Sequence, residues 1–363
     1  MTERKPPVPR NLPFVSVIMP VYNESAFIER SLNAILAQSY PKGLMEIVIA
    51  DGMSTDSTRA MIESISARSE IPVKVVDNPK QIAPTGLNCA LNVAKGDVVV
   101  RVDGHCEIDR EYVANCVAIL GSGAADGVGG PIETVGETSV ARMVAMAMSS
   151  PFGVGGSAFR TVKDREMYTD TVAFPGYTKR IIEKVGPFNE ELVRNQDDEY
   201  NFRIRKSGGR ILLSPTIRSR YYSRGTFRSL WRQYFQYGFW KVRVMQLHTG
   251  QMSLRQFVPF VFVASILVLS LLSFISPAAR YGLALLLTSY LMANLIASVM
   301  TCKTSLRQVP GVALSFAILH ISYGCGFLMG LVFFVRSWGR PENENPIDEV
   351  GMHGSTPYRT KRL

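Results

Sequence analysis

The sequence predicts an α/β protein: a mostly parallel sheet with helices on both faces, followed by C-terminal transmembrane helices. Three observations carry that expectation. Short β-branched apolar runs alternate with helix-length segments through residues 14–130, no Asp or Glu occurs from Phe257 to Val335, and 47% of the 363 residues are hydrophobic against 19% charged. The length allows about two domains of roughly 150 residues each. The formal charge is +10, yet so apolar a composition excludes a purely nucleic-acid-binding protein.

Residues 1–13 form an N-terminal extension with four prolines and no apolar signal core, so the chain is expected to begin on the cytosolic side. Residues 14–225 are expected to hold the α/β domain. Its apolar runs at Phe14–Met19, Glu46–Ala50, Val73–Val76, Val98–Val102 and Gly127–Gly129 have strand length and composition. Between them lie helix-length segments near 24–38, 55–69, 85–95 and 109–120, the order that gives crossover helices over a parallel sheet. The five cysteines (Cys89, Cys106, Cys116, Cys302, Cys325) are odd in number and contain no CxxC pair. Neither a disulfide framework nor a thiolate zinc site is indicated, and a reducing cytosol suits them.

Residues 201–256 hold twelve Lys/Arg and no acid, interleaved with aromatics from Tyr221 to Trp240. Within that stretch, 226–256 reads as a basic amphipathic region lying on anionic membrane lipids. A nucleic-acid groove would share the pattern, but adjacency to apolar spans decides for lipid and against nucleic acid. Residues 257–335 carry three apolar stretches, 257–275, 281–300 and 309–335, each near or above the roughly 20 residues that cross a bilayer. The positive-inside rule places the basic segment, Lys303 and Arg307 in the cytosol. Three crossings then leave Arg336, Arg340 and Arg359–Arg362 of the polar tail, 336–363, on the far side. Either the tail is an exception, or the Gly-rich Tyr323–Gly330 region is re-entrant or bent.

In parallel sheets, ligands sit beyond the carboxyl ends of the strands. There the sequence places Pro20-Val21-Tyr22-Asn23-Glu24, then Asp51 through Thr58, then Asp103-Gly104-His105. Any one aspartate is explained as a turn or cap residue. Three acidic tips at one edge repel one another unless a cation or a hydrogen-bond donor, such as a base or ribose, sits between them. The P-loop, GxGxxG, GxSxG and HExxH patterns are missing, which removes most weight from ATPase, dehydrogenase, serine-hydrolase and zincin readings.

Five stretches in order, VSVIMPVYNE, IVIADGMSTDST, Asn78-Pro79-Lys80 with Leu87-Asn88, AKGDVVVRVDGH and NQDDEYNFRIRKSGG, resemble the motif series of family 2 inverting glycosyltransferases of the GT-A fold. RVDGH, PFGVGGSAFR and AFPGYTKR are similar to membrane-anchored glycosyltransferases of succinoglycan-type exopolysaccharide synthesis. The resemblance implies a GT-A catalytic domain that binds a nucleotide sugar, UDP-linked, with Pro20, Tyr22, Glu24, Asp51, Lys80 and Asp103 on the donor side. Asp103 and His105 stand at the family's Asp-x-Asp position, where Mn²⁺ or Mg²⁺ is expected. His105 replaces the usual second carboxylate and leans toward Mn²⁺.

Alignment on the family's Glu-Asp-x-x-Leu-x-x-Arg pattern makes Asp197 the base that takes the acceptor proton, with Asp198 the alternative and Gln196 where Glu is usual. At a helix start these acids are expected to have lowered pKa values. The processive Gln-x-x-Arg-Trp motif is degenerate here, running from Gln233 to Tyr237, which suggests addition of one sugar. Gln196, Gln233 and Tyr237 are acceptor candidates, and the 153–157 glycine stretch is a loop that an acceptor could approach. The implied acceptor is a polyprenyl-diphosphate-linked saccharide, at the inner (plasma) membrane, with a multi-pass anchor and the catalytic domain in the cytoplasm. Transfer to bare polyprenyl phosphate, and a non-catalytic nucleotide-sugar-binding membrane scaffold, stay open as alternatives.

Overall fold

The computed structural model describes residues 12–338 apart from 224 and 304. Expectations for Arg224, Arg340 and Arg359–Arg362 lie outside those residues. The strands are β1 (Val15–Val21), β2 (Met45–Asp51), β3 (Val73–Asp77), β4 (Val98–Arg101), β5 (Cys106–Ile108), β6 (Gly127–Gly130), β7 (Ile132–Val135), β8 (Met167–Tyr168), β9 (Ala173–Thr178), β10 (Ile211–Leu213) and β11 (Ser219–Tyr222). The helices before the basic region are α1 (Ile28–Leu36), α2 (Thr58–Ser66), α3 (Ala83–Leu91), α4 (Tyr112–Gly121), α5 (Ser139–Met148), α6 (Pro151–Val154), α7 (Ala158–Thr161), α8 (Lys179–Val185) and α9 (Gln196–Lys206). After them come α10 (Phe227–Leu247), α11 (Val258–Leu272), α12 (Pro277–Thr301) and α13 (Val309–Phe333).

The main sheet runs β3-β2-β1-β4-β9-β6-β10-β8. Its first four strands are parallel. Their near-continuous apolar sequences follow from burial on both faces. Val15, Val17, Met19, Ile47, Ile49 and Val100 pack with Ile28, Leu32, Ile35 and Ile62 of α1 and α2. The alternate positions Ile18, Val48, Ala50 and Val99 pack with Leu87 and Ala90 of α3. Beyond β4 the sheet is mixed. β9 enters antiparallel between β4 and β6, so the fifth apolar run is not a neighbour of the fourth. A small second sheet, β5-β11-β7, stands beside the end of β4 and carries Tyr221.

Three expectations for the C-terminal third are corrected. First, α11 has 15 residues and spans about 22 Å at 1.5 Å per residue, short of a roughly 30 Å hydrocarbon core. Only α12 and α13 are long and apolar enough to cross a membrane among the described residues. The chain breaks at Ser273–Ser276 and restarts with Pro277 at the first position of α12, which ends the 257–275 stretch early.

Second, α13 runs unbroken through Tyr323–Gly330. The glycines there serve packing rather than bending. A Cβ on Gly326 would sit 2.0 Å from the Phe235 carbonyl oxygen, and one on Gly238 of α10 would sit 2.0 Å from the Tyr323 carbonyl oxygen. Small residues let the two helix backbones touch.

Third, α10 does not simply lie on headgroups, because its inner face is buried between the catalytic domain and α13, including Lys241 and Arg243. Arg228, Trp231 and Arg232 on its first turns remain exposed. By contrast, α11, α12 and the turn between them expose apolar side chains such as Leu271, Phe274, Leu285 and Met292.

Candidate active site

The loops after β1 and β2 are laced together. Asn23, in the left-handed region at φ 53°, accepts from the Thr55 amide at 2.8 Å and donates its own amide to Ser54 Oγ at 3.0 Å. The Glu24 amide donates to Thr58 Oγ1 at 2.8 Å, and the Ser25 amide to Asp56 Oδ2 at 3.2 Å. Most polar residues of the 54–58 stretch therefore brace the edge. Asp51 closes β2 with no exposed surface. Ser54 Oγ donates to it at 2.6 Å, and Arg59 stands 3.4 Å away, bridging to Asp77 at 2.7 Å. Tyr22 lies over Gly52, where a Cβ would meet its ring at 3.1 Å, and stays partly exposed. Pro20 faces the start of α3 across Gly86.

Glu24 carries the first tip to the third. Its side chain crosses Gly104 and meets His105 Nδ1 at 2.9 Å. Burial pulls the His105 pKa down, but the Glu24 carboxylate outweighs it and raises the imidazole to about 9. Asp103 accepts from Arg101 through Nε at 2.9 Å and Nη2 at 3.2 Å. Burial pushes Asp103 up, and Arg101 then holds it below the usual carboxylate range. Arg101, the one charged residue of β4, also acts on Asp197, and its Nη1 is buried without a partner. Arg101 thus pairs with Asp103 and acts on Asp197 only at longer, electrostatic range. An arginine ending the apolar run VVVR was the available signal for it.

The acids of α9 have three different fates. Glu199 is fully buried and accepts from Arg203 at 2.7 Å, with His248 Nε2 at 2.8 Å. Asp198 pairs with Lys241 of α10. Burial raises Asp198, but Lys241 outweighs that and lowers it below the ordinary value. Asp197 makes no ion pair among the described residues. Its Oδ1 accepts only the Asp198 amide, at 3.0 Å. Burial raises its pKa, Arg101 opposes, and the carboxylates of Asp198 and Asp103 add to the rise. The expected lowering at a helix start therefore fails for Asp197, because desolvation and two like charges exceed the end-of-helix field. A raised carboxyl suits proton abstraction.

The acceptor candidates also gather here. Gln196 is buried at the start of α9. Gln233 donates through Nε2 to Tyr221 Oη at 3.2 Å and Tyr237 Oη at 3.0 Å, leaving its buried Oε1 without a partner. Asn195 donates to the Tyr237 carbonyl at 3.0 Å, which ties α9 to α10. Lys80 is placed differently: its ammonium pairs with Glu190 at 2.7 Å and fastens the loop after β3 to the approach of α9. Glu191, Arg194, Lys241 and Arg243, which position this approach, were not singled out in the sequence.

Among the described residues no three His, Cys, Asp or Glu side chains come together as a metal cage. The residues that would hold a divalent cation are Asp103 and His105, and the imidazole, raised to about 9 and so protonated at neutral pH, would have to lose a proton for Nε2 to bind one. His105 is oriented through Nδ1 by Glu24, the carboxylate–histidine arrangement that presents Nε2 to a metal.

Residues 16–186 match the family model described as Glycosyl transferase family 2. A Methanococcus voltae protein, dolichyl N-acetyl-alpha-D-glucosaminyl phosphate 3-beta-D-2,3-diacetamido-2,3-dideoxy-beta-D-glucuronosyltransferase, is 27% identical over 330 residues, covering 88% of this chain and 97% of that protein. Succinoglycan biosynthesis protein ExoA of Rhizobium meliloti (strain 1021) is 29% identical over 67% of this chain and 73% of its own length. The solved structure of mannosyltransferase PcManGT from Pyrobaculum calidifontis, in complex with GDP-Man and Mn²⁺, superposes with a TM-score of 0.58 at 20% identity, covering 88% of each chain, and shares the GT-A fold. The chain is a glycosyltransferase, and its catalytic domain belongs to Glycosyl transferase family 2.

Proposed function

We propose that this glycosyltransferase moves a sugar, with inversion, from a UDP-sugar to a polyprenyl-diphosphate-linked saccharide in exopolysaccharide or envelope glycan synthesis. It does so at the cytoplasmic face of the inner (plasma) membrane, held by the α12–α13 pair and by contact with anionic lipids. The catalytic domain is taken as 14–225, the linking basic region as 226–256, and the membrane region as 257–335. The observation that supports the reading is the buried Arg101–Asp103 pair with Asp197 left without an ion pair among the described residues, on a helix tied to α10, which itself packs on α13.

In this reading Tyr22, Glu24 and Asp51 border the nucleoside, with Pro20 behind them and Lys80 at the same edge. Asp103 and His105 would hold Mn²⁺ or Mg²⁺, and His105 favours Mn²⁺. Bound there, the cation supplies charge neutralisation for the leaving diphosphate. Asp197 takes the proton of the acceptor hydroxyl as that oxygen attacks the anomeric carbon. Asp198, committed to Lys241, does not compete for it. The acceptor class is supported by the Methanococcus voltae relative, whose name describes a dolichyl-phosphate-linked sugar.

The test is a screen of UDP- and GDP-sugars for transfer into the lipid fraction of membranes carrying the protein, with Asp197→Asn membranes as control. Transfer from a UDP-sugar that disappears in the variant is expected. Transfer from no nucleotide sugar, or equal transfer by the variant, contradicts the reading.

A further inference from the structure

Two arginines beside the site make no hydrogen bond or ion pair to a carboxylate among the described residues. Arg160 rests on the Tyr221 ring, 5.6 Å from its centroid, and reaches Thr134 Oγ1 at 3.4 Å. Arg194 donates through Nε to Gln236 Oε1 at 3.0 Å, and its terminal nitrogens make no hydrogen bond among the described residues. Both guanidinium groups lie within electrostatic reach of Tyr237, and Arg194 also reaches Asp103. Unpaired cations held in a partly buried site call for an anion, and the planar guanidinium fork matches phosphate oxygens.

The supports of these residues lead toward α13 and away from Asp51. Tyr237 precedes Gly238, whose backbone touches that of Tyr323. Arg160, in α7, follows the 151–157 segment of α6 and its glycines, where Phe152 meets Phe316 edge-on at 5.0 Å and its carbonyl accepts from His320 Nε2 at 2.8 Å. Arg255, just ahead of α11, donates to the Gly156 carbonyl at 2.8 Å and closes the same loop. An anion entering here comes from the side of the apolar helices.

We propose that Arg160, Arg194 and Tyr237 form a phosphate-binding subsite for the acceptor, gripping the phosphate that joins a saccharide to its lipid. The inference rests on the glycosyltransferase reading above and adds to it a second anion site beside the one at Asp103 and His105. Gln233 holds the Tyr221 and Tyr237 hydroxyls together through Nε2 and so positions Tyr237 in this subsite.

The test uses the full-length protein in detergent and measures binding of farnesyl phosphate, farnesol, UDP and GDP in the presence of Mn²⁺. Farnesyl phosphate is expected to bind about tenfold tighter than farnesol, the margin of charge-assisted hydrogen bonds. Arg160→Gln and Arg194→Gln should each lose that margin while keeping the wild-type nucleotide affinity, which also shows that they fold. Arg160→Lys and Arg194→Lys should retain part of it. Equal binding of the two prenyl compounds by the wild type, or a matching loss of nucleotide affinity in the glutamine variants, overturns the proposal. The second result would assign the arginines to the donor. Wild-type protein that binds neither nucleotide would overturn the nucleotide-sugar reading and this inference with it.

Discussion

Three consecutive acids, Asp197, Asp198 and Glu199, lie in the first turn of α9, and the proposed chemistry rests on which of them makes no ion pair. Glu199 belongs to Arg203 and His248, and Asp198 belongs to Lys241, so Asp197 is the acid left without an ion pair among the described residues, as the proposed base requires. Asp197→Asn should cut the transfer rate by roughly 10²- to 10⁴-fold, the usual worth of a positioned base, with nucleotide affinity unchanged. Because burial raises the Asp197 pKa, the acid limb of the pH–rate profile should lie above the ordinary aspartate value of about 3.9. A limb at or below that value would contradict the assignment. The motif in the sequence was enough to locate the acidic cluster and to favour Asp197. It could not supply the reason, because Lys241, which claims Asp198, arrives 43 residues later on α10. Nor could it rank Arg101, whose pairing with Asp103 appears only in the folded chain.

At the scale of elements, α10 joins the base helix to the membrane helices. Its inner face sends Lys241 to Asp198 and Arg243 to Glu191 at 2.5 Å, while Phe235 and Gly238 meet α13 backbone to backbone. Lys241→Met leaves Asp198 without its cation and should lower stability by on the order of 3 kcal/mol in thermal unfolding at neutral pH; adding Asp198→Asn should restore much of it. Asp198 is lowered in the folded state, so the pair stabilises above the unfolded value of about 3.9 and its contribution fades as pH falls through the folded one. The Lys241→Met deficit should therefore shrink in acid. Gly326→Leu places a side chain where the Phe235 carbonyl lies, so loss of both folding yield and transfer is expected, measured by gel filtration in detergent and by assay. The basic, aromatic pattern of 201–256 suggested a lipid-facing helix. Charge pattern alone does not separate a cation facing headgroups from one facing a buried carboxylate, and α10 carries both kinds.

Across the whole molecule, the alternation of apolar runs and helix-length segments was sufficient to predict β1 to β4 and their covering helices, because strands buried on both faces read as unbroken apolar sequence. The antiparallel insertion of β9 was not legible. Its sequence, AFPGYT, carries a proline and a glycine that mask a strand, and its neighbours are set by packing over long separations. The apolar composition after Phe257 likewise announced membrane-type helices but not that α11 stops at 15 residues. Since α13 covers the inner face of α10, a chain ending at Gln256 should expose Phe235, Phe239 and Val242 and aggregate without detergent; a monodisperse soluble fragment would deny that packing. The central claim is that Asp103 and Asp197 serve one nucleotide-sugar site in different roles. Calorimetric titration of UDP into the full-length protein, with and without Mn²⁺, tests it most directly. Mn²⁺-dependent binding is expected in the wild type and in Asp197→Asn, and its loss in Asp103→Ala. Binding indifferent to Mn²⁺ and unchanged in Asp103→Ala would contradict the account.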